Sequence, residues 1–523
     1  MIDFLIKNAL IVDGSGAQPF TGDVAVAGNT IVDIGNLDQT EAFSVIDAHG
    51  KIVSPGFIDM HSHSDVLFIN GNPLLHKLYQ GVTTELIGQD GISAAPMTDS
   101  SKQMMADIIE PMAGKAENGW KPLDMQGLFE TLIDQKVKLN VASLTGHCNL
   151  RMAVMGHRMA TATQDELQGM CDLLDQSLKQ GSVGLSLGLI YPPSSYSDTD
   201  ELIALGHVVK KYDGILVAHI RNEQAQIIDA LNEMIEISKK SGCRIHISHL
   251  KCLGKKNWGK MPQILALMNN ALDQEIDITF DQYPYNASNT SLSLLLPGWA
   301  VEGGYQGFKK LSSNLENREK ILAAMKESIE SRGGSDSIKI ASVMNDKNHD
   351  ATGKSINNLA ESRGMVVEEA VLALLTEEKL QVMAIYHAIS NSDIECAMAH
   401  HLHTVGSDGV LGEHSHPRAF GTFPRIINHY SREKNLFPLE VAIKRMTSQS
   451  AKILKLAKRG QIKKGYYADL IIFEKGKFID NATFENPNQF ATGLDWVFIN
   501  GTPVIREGEV QDSYPGSILK SSH

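Results

Sequence analysis

Cysteine is scarce in this chain of 523 residues: there are five, Cys148, Cys171, Cys243, Cys252 and Cys396. The count is odd and no C-x-x-C spacing occurs, which excludes a disulfide scaffold or a zinc ribbon and fits a reducing compartment. Positive charge is also in short supply. Lys plus Arg is 48 against 61 for Asp plus Glu, a net charge of −13. That excludes a nucleic-acid binder working through phosphate neutralisation, and disfavours anionic membranes. No apolar run reaches the ~18 residues a spanning helix needs. The N-terminus, with Asp3, Lys7 and Asn8, does not read as a signal peptide. A cytoplasmic location is therefore expected. Aromatics are only 6%, yet hydrophobic residues make up 42%, and a chain this long buries a large core. Disorder as the main state is excluded. Histidine stands out instead: 19 residues, several beside carboxylates.

The two chain ends share one pattern. Phe4-Leu5-Ile6, Asp23-Val24-Ala25-Val26 and Thr30 to Gly35 alternate between glycine turns, as do Asp469 to Phe473 and Trp496 to Gly501. These read as short antiparallel strands, so residues 1–56 and 456–523 are expected to build one small β-sandwich. Between them strands alternate with amphipathic segments such as Asp165 to Gln180, Gln224 to Ser241 and Pro262 to Leu272. Eight strands are expected to end near His63, Asp90, His147, Leu189, His219, His249, Tyr283 and Asp408. Eight strand-helix units predict an α/β chain whose residues 57–455 form a (β/α)8 TIM-like barrel. The stretch from Tyr283 to Asp408 is too long for one crossover, and an inserted subdomain is expected over about residues 287–345.

In such a barrel, catalytic groups gather at the C-terminal ends of the strands. His61 and His63 lie two apart and share a strand face. His219, His249, Asp90 and Asp408 end other strands. A lone histidine at such a place is ordinarily a hydrogen-bonded core residue. Several strand ends terminating in ligand-type residues together suit zinc or a similar divalent ion.

Longer motifs carry a resemblance. Pro55 to His63, Gly81-Val82-Thr83-Thr84, Tyr191-Pro192-Pro193, His219 to Glu223, Ser248 to Lys251, Tyr283-Pro284-Tyr285, Gly406 to Gly409, His416 to Arg425 and Lys464 to Asp469 follow in order. The set resembles the amidohydrolase superfamily, in its D-aminoacylase (N-acyl-D-amino-acid deacylase) branch, over about residues 4–516. The resemblance implies one metal site from His61, His63 and Asp408 and another from His219 and His249, holding one or two ions, zinc first. It also implies that Asp408 is the general base and acid. The branch commonly has cysteine where this chain has Asp90, a harder ligand that can bridge two ions through its two oxygens.

The implied reaction is hydrolysis of an N-acyl-D-amino acid to a D-amino acid and a carboxylate. The implied partner is a small molecule with a free carboxylate, not nucleic acid or membrane. Arg221 and Lys251, two residues past His219 and His249, are candidates to hold that carboxylate. Tyr191 and Tyr283 are candidates to hydrogen-bond it or the acyl oxygen. Alternatives are a cyclic amidase of the dihydropyrimidinase or dihydroorotase type and a D- or isoaspartyl dipeptidase. The bridging lysine common in the cyclic amidases is missing from the strand ends before His219. Gly184-Leu185-Ser186-Leu187-Gly188 fits the G-x-S-x-G elbow of a metal-free serine hydrolase, but residues 187–190 read as continuing strand. The pair His414 and His416 reads as loop. The sequence carries no signal for oligomeric state.

Overall fold

A computed structural model describes residues 1–474 and 476–521. Eight parallel strands form its centre: Phe57–Asp59 (β1), Val82–Ile87 (β2), Asn140–Ser143 continued by Thr145–Gly146 (β3), Gly184–Gly188 (β4), Ile215–His219 (β5), Arg244–Ile247 (β6), Ile278–Asp281 (β7) and His403–Thr404 (β8). Each pairs with the next in chain order. β3 joins the two halves, because its first segment pairs with β2 and its second with β4. The ring closes between β8 and β1. Met60 N–H donates to the Val405 carbonyl at 3.1 Å, and Asp408 N–H to the His61 carbonyl at 2.8 Å. The strands are buried nearly throughout, as expected when helices cover the outside and side chains fill the inside.

The covering helices follow their apolar stripes. Gln164–Lys179, Ile227–Ser241 and Met261–Asp273 lie within a few residues of the amphipathic segments read from sequence. The first starts in a capping box: the Thr163 hydroxyl accepts from Glu166 N–H, and the Glu166 carboxylate accepts from Thr163 N–H.

The chain ends build one nine-stranded sheet. Lys51–Pro55 pairs with Leu470–Glu474, which joins N-terminal to C-terminal strands. The sheet curls on itself, since Ile31 N–H donates to the Tyr466 carbonyl at 2.9 Å. Alternation then splits its residues. Ile6, Val24, Leu470, Ile472 and Phe498 fill its own core, while Ile471, Phe473 and Val497 pack towards the barrel.

After β7 the chain leaves the barrel. Ser288–Ser291, Met383–Tyr386 and Ile338–Ser342 form a separate antiparallel sheet in that order. It packs with the helices Leu315–Ser331 and Val367–Glu377 around a core of its own, including Ile321, Ile340 and Leu374. The expected insertion thus lies inside a unit that runs on to Tyr386. The reason is that Met383–Tyr386 supplies the central strand. No helix among the described residues is long and apolar enough to cross a membrane.

Candidate metal centre

His61 and His63 follow β1, Asp90 follows β2, His219 ends β5, His249 follows β6 and Asp408 follows β8. All six are buried. One ligand atom from each of His61, His63, Asp90 and Asp408 lies within 4.8 Å of the others, and the same holds for Asp90, His219 and His249. The Nε2 atoms of His61 and His63 are 3.3 Å apart, and His63 Nε2 is 3.2 Å from Asp408 Oδ1. Asp90 belongs to both groups. Its Oδ1 is 3.4 Å from His249 Nε2 and 3.6 Å from His61 Nε2; its Oδ2 is 3.7 Å from both His63 Nε2 and His219 Nδ1.

Three of these residues have left-handed backbones: Asp90 (φ 54°), His249 (φ 35°) and Asp408 (φ 50°). Each such conformation costs about 1–3 kcal/mol and persists only where the surroundings impose it. Here they do. His249 N–H donates to Asp281 Oδ1 at 3.0 Å. Asp408 N–H is held by the barrel seam. Beside Asp90, Gly91 N–H donates to the Ser186 hydroxyl at 3.1 Å. A Cβ at Gly188 would lie 1.9 Å from the Asp90 carbonyl oxygen, so only glycine fits there. The G-x-S-x-G pattern is thereby explained. It belongs to a continuous strand that seats the Asp90 loop, not to a strand-to-helix elbow, and the serine-hydrolase alternative falls with it.

The charge state follows from the contacts. Burial disfavours the Asp408 carboxylate, but Arg418, with Nη1 2.8 Å from Oδ2, and His61 outweigh it and hold the group well below the usual carboxylate range. Asp90 is likewise held low against burial, by His61 and His249. No Lys or Arg among the described residues pairs with it. His61 Nδ1, Asp90 Oδ1 and both ring nitrogens of His219 are buried without a hydrogen-bond partner. Orphaned atoms of this kind cost about 1–3 kcal/mol each. Four imidazoles and two carboxylates with free lone pairs fit a divalent ion of the zinc type.

The substrate-side expectations fare differently. Lys251 lines the cleft above the cluster, its Nζ 2.5 Å from Glu223 Oε1 and 2.9 Å from His249 Nδ1. Tyr191 also lines it, its hydroxyl 2.9 Å from Thr290 Oγ1. Tyr283 is fully buried, with an unpartnered hydroxyl and the Arg418 guanidinium 4.5 Å from its ring centroid. Arg221 is not brought to the cleft. Its Nε and Nη2 each lie 2.9 Å from the Glu233 carboxylate, and its Nη atoms reach the carbonyls of Ser195 and Ser197. The strands end at His219 and Ile247, so two-residue alternation fixes the direction of neither Arg221 nor Lys251, and Arg221 turns to Glu233 instead. His414 and His416 are occupied by the carbonyls of Phe484 and Ala287.

Sequence reasoning missed Glu223, Arg418 and Asp281. Glu223 and Arg418 stand inside motifs already singled out. Asp281 ends β7 two residues before the strand end read from sequence, and it fixes both His249 and His246 (Nε2 to Oδ2, 3.0 Å).

Residues 44–289 and 340–505 match the amidohydrolase family. The chain belongs to that family. This amidohydrolase is 31% identical over 522 residues to the D-aminoacylase of Alcaligenes xylosoxydans xylosoxydans, covering 99% of this chain and 97% of that protein. It is 32% identical to the N-acyl-D-glutamate deacylase of the same organism, covering 99% of this chain and 96% of that one. Among solved structures, the N-acyl-D-glutamate deacylase of Bordetella bronchiseptica superposes with a TM-score of 0.86 at 31% identity, over 99% of both chains. That crystal holds zinc and a phosphonate inhibitor that mimics the tetrahedral intermediate of the reaction.

Proposed function

We propose that this amidohydrolase cleaves the amide bond of N-acyl-D-amino acids with water, giving a D-amino acid and a carboxylate. The observation that carries the reading is the buried set of His61, His63, Asp90, His219, His249 and Asp408, in a chain similar from end to end to N-acyl-D-amino-acid deacylases. These six residues would hold one or two divalent ions, zinc first. A bound divalent ion lowers the pKa of water to about 7 and polarises a carbonyl.

The chain's own groups supply the rest. Asp408 is ionised at neutral pH, with Oδ2 against Arg418 and Oδ1 facing the histidines. It is placed to accept a proton from water and return it to the leaving nitrogen as the C–N bond breaks. Lys251 is the cation beside the centre that would receive the substrate's free carboxylate, with Tyr191 lining the same cleft, while Arg418, against Asp408, and Tyr283 beneath its guanidinium are buried behind it. The partner is a small molecule. A net charge of −13 gives no electrostatic basis for binding nucleic acid or anionic membrane. All five cysteines are free thiols, in keeping with a cytoplasmic setting.

The test is metal content measured together with hydrolysis of paired N-acetyl-D- and N-acetyl-L-amino acids, with and without chelator. One or two equivalents of metal per chain and D-selective, chelator-sensitive turnover are expected. Turnover by metal-free protein, or equal use of both enantiomers, would overturn the reading.

A further inference from the structure

Lys251 and Arg332 line the cleft, and Arg418 lies against Asp408 in its wall. Two of these three cations are already compensated, Lys251 by Glu223 and Arg418 by Asp408. Arg332 differs: no carboxylate among the described residues is recorded within ion-pair distance of it. Its Nε is buried without an acceptor.

Its placement is built. Arg332 follows the helix Leu315–Ser331 of the inserted unit, and its N–H donates to the carbonyls of Ser328 and Ile329 at 3.2 Å. Gly254, three residues past Lys251, lets the insertion close onto the barrel: its φ is +87°, and a Cβ there would lie 2.4 Å from the Ser331 carbonyl oxygen. The guanidinium lies over the Tyr386 ring, 5.4 Å from its centroid. The Tyr386 hydroxyl donates at 3.0 Å to the carbonyl of Ser291, in the strand that brings Asn289 and Thr290 to the cleft. Part of the wall is aliphatic, with Met112, Leu294, Met383 and Val410. A half-buried guanidinium without a counter-charge, held in place against such walls, favours an incoming anion.

We propose that Arg332 forms a second anion subsite, so that the preferred substrate is an N-acyl-D-amino acid bearing another carboxylate besides the α-carboxylate. This rests on the deacylase reading of the centre. The extra carboxylate comes either from the D-side chain or from a dicarboxylic acyl group; the guanidinium meets both with the same paired N–H donors. The aliphatic walls accommodate the methylenes between the two charges.

The experiment compares kcat/KM for N-acetyl-D-glutamate, N-succinyl-D-leucine and N-acetyl-D-leucine in the metal-loaded wild type, Arg332→Met and Arg332→Lys. In the wild type one or both dianions should exceed N-acetyl-D-leucine by about ten- to a hundredfold. Arg332→Met should erase most of that ratio, chiefly through KM, and Arg332→Lys should keep part of it. The dianion whose advantage disappears identifies the source. If N-acetyl-D-leucine equals or exceeds both dianions in the wild type, or if Arg332→Met lowers all three alike, the subsite is refuted while the deacylase reading stands. If none of the three is turned over, the deacylase reading fails and the subsite with it.

Discussion

Two buried charged clusters sit in this barrel, and they differ in whether a side-chain cation stands at the centre. The lower one is centred on Lys77. Its Nζ lies 2.6 Å from Asp59, 2.9 Å from Glu85 and 2.9 Å from the Ser407 hydroxyl, and all three charged groups are fully buried. Burial disfavours the ammonium, yet the two carboxylates raise its pKa above the usual lysine value. Asp59 also accepts from the N–H groups of His61 and Ser407, so the cluster ties β1 to the end of β8 beneath the site. The upper cluster, which begins at His61 two residues past Asp59, brings carboxylates and imidazoles together with no Lys or Arg on Asp90 and with several orphaned ring nitrogens. Equal burial thus means different things. The lower cluster carries its own cation and holds the seam; the upper one lacks a cation at its centre and is where a divalent ion belongs.

The largest effect that could break this contrast is catalytic. Asp408→Asn keeps the shape of the side chain and removes the base, and kcat should fall by about 10³-fold with folded secondary structure unchanged. Chelation should likewise abolish turnover and lower the thermal midpoint, because an ion that binds only the folded chain stabilises it. Retention of kcat within tenfold in Asp408→Asn would remove Asp408 from the mechanism.

The lower cluster should respond in stability. Lys77→Met leaves Asp59 and Glu85 facing each other without a cation, and unfolding free energy should drop by about 3–5 kcal/mol. Adding Glu85→Gln should recover part of the loss, since one uncompensated carboxylate is gone. Denaturant titration of the three proteins is the measurement. A loss below about 1 kcal/mol would show that the seam does not depend on this ion cluster.

Much of the upper cluster was legible in the sequence because its residues sit at or just past strand ends, which a closed barrel gathers at one face. His61, His63, Asp90, His219, His249 and Asp408 all stand where that logic put them. The lower cluster was not. Lys77 lies in the short helix Leu75–Leu78, and nothing local distinguishes a lysine that turns into a barrel from one that faces water. Arg418 was hidden for a similar reason, since it opens a helix after β8 and reaches Asp408 only through the tertiary fold. The eight strands and the terminal sheet were readable from periodicity. The length of the insertion was not, because its central strand Met383–Tyr386 is separated from Ile338–Ser342 by two α-helices and from Ser288–Ser291 by four.

A third perturbation uses pH on a histidine of the seam. His403, in β8, is fully buried, and burial together with Arg445 lowers its pKa to about 3. Its Nε2 is 3.3 Å from the Gln282 carbonyl. The unfolded chain, with the ordinary value near 6.5, takes up the proton first. The stabilisation from a neutral His403 is therefore complete above about pH 6.5 and is lost as pH falls towards 3, amounting to about 5 kcal/mol in full. The thermal midpoint should fall over that range, and His403→Gln should flatten part of the fall. An unchanged slope in His403→Gln would assign the acid sensitivity to other groups.

The smallest effect belongs to Arg221, which the spacing from His219 makes a candidate for the substrate carboxylate and the structure ties to Glu233 instead. A partly exposed bidentate pair of this kind contributes about 1 kcal/mol or less. Arg221→Met should therefore cost little stability. KM should shift by less than the about tenfold expected when a substrate carboxylate loses a charged hydrogen bond. Lys251→Met, two residues past the other histidine, should exceed that tenfold, because its ammonium faces the cleft while also holding Glu223 and His249. Equal KM effects in the two variants would mean that Arg221 leaves Glu233 when substrate binds. A large gap between them would show that the same spacing, after two neighbouring strands, yields a binding group in one and an anchor in the other, decided by the partner each cation meets: Glu233 on the following helix for Arg221, and Glu223 and His249 at the cleft for Lys251.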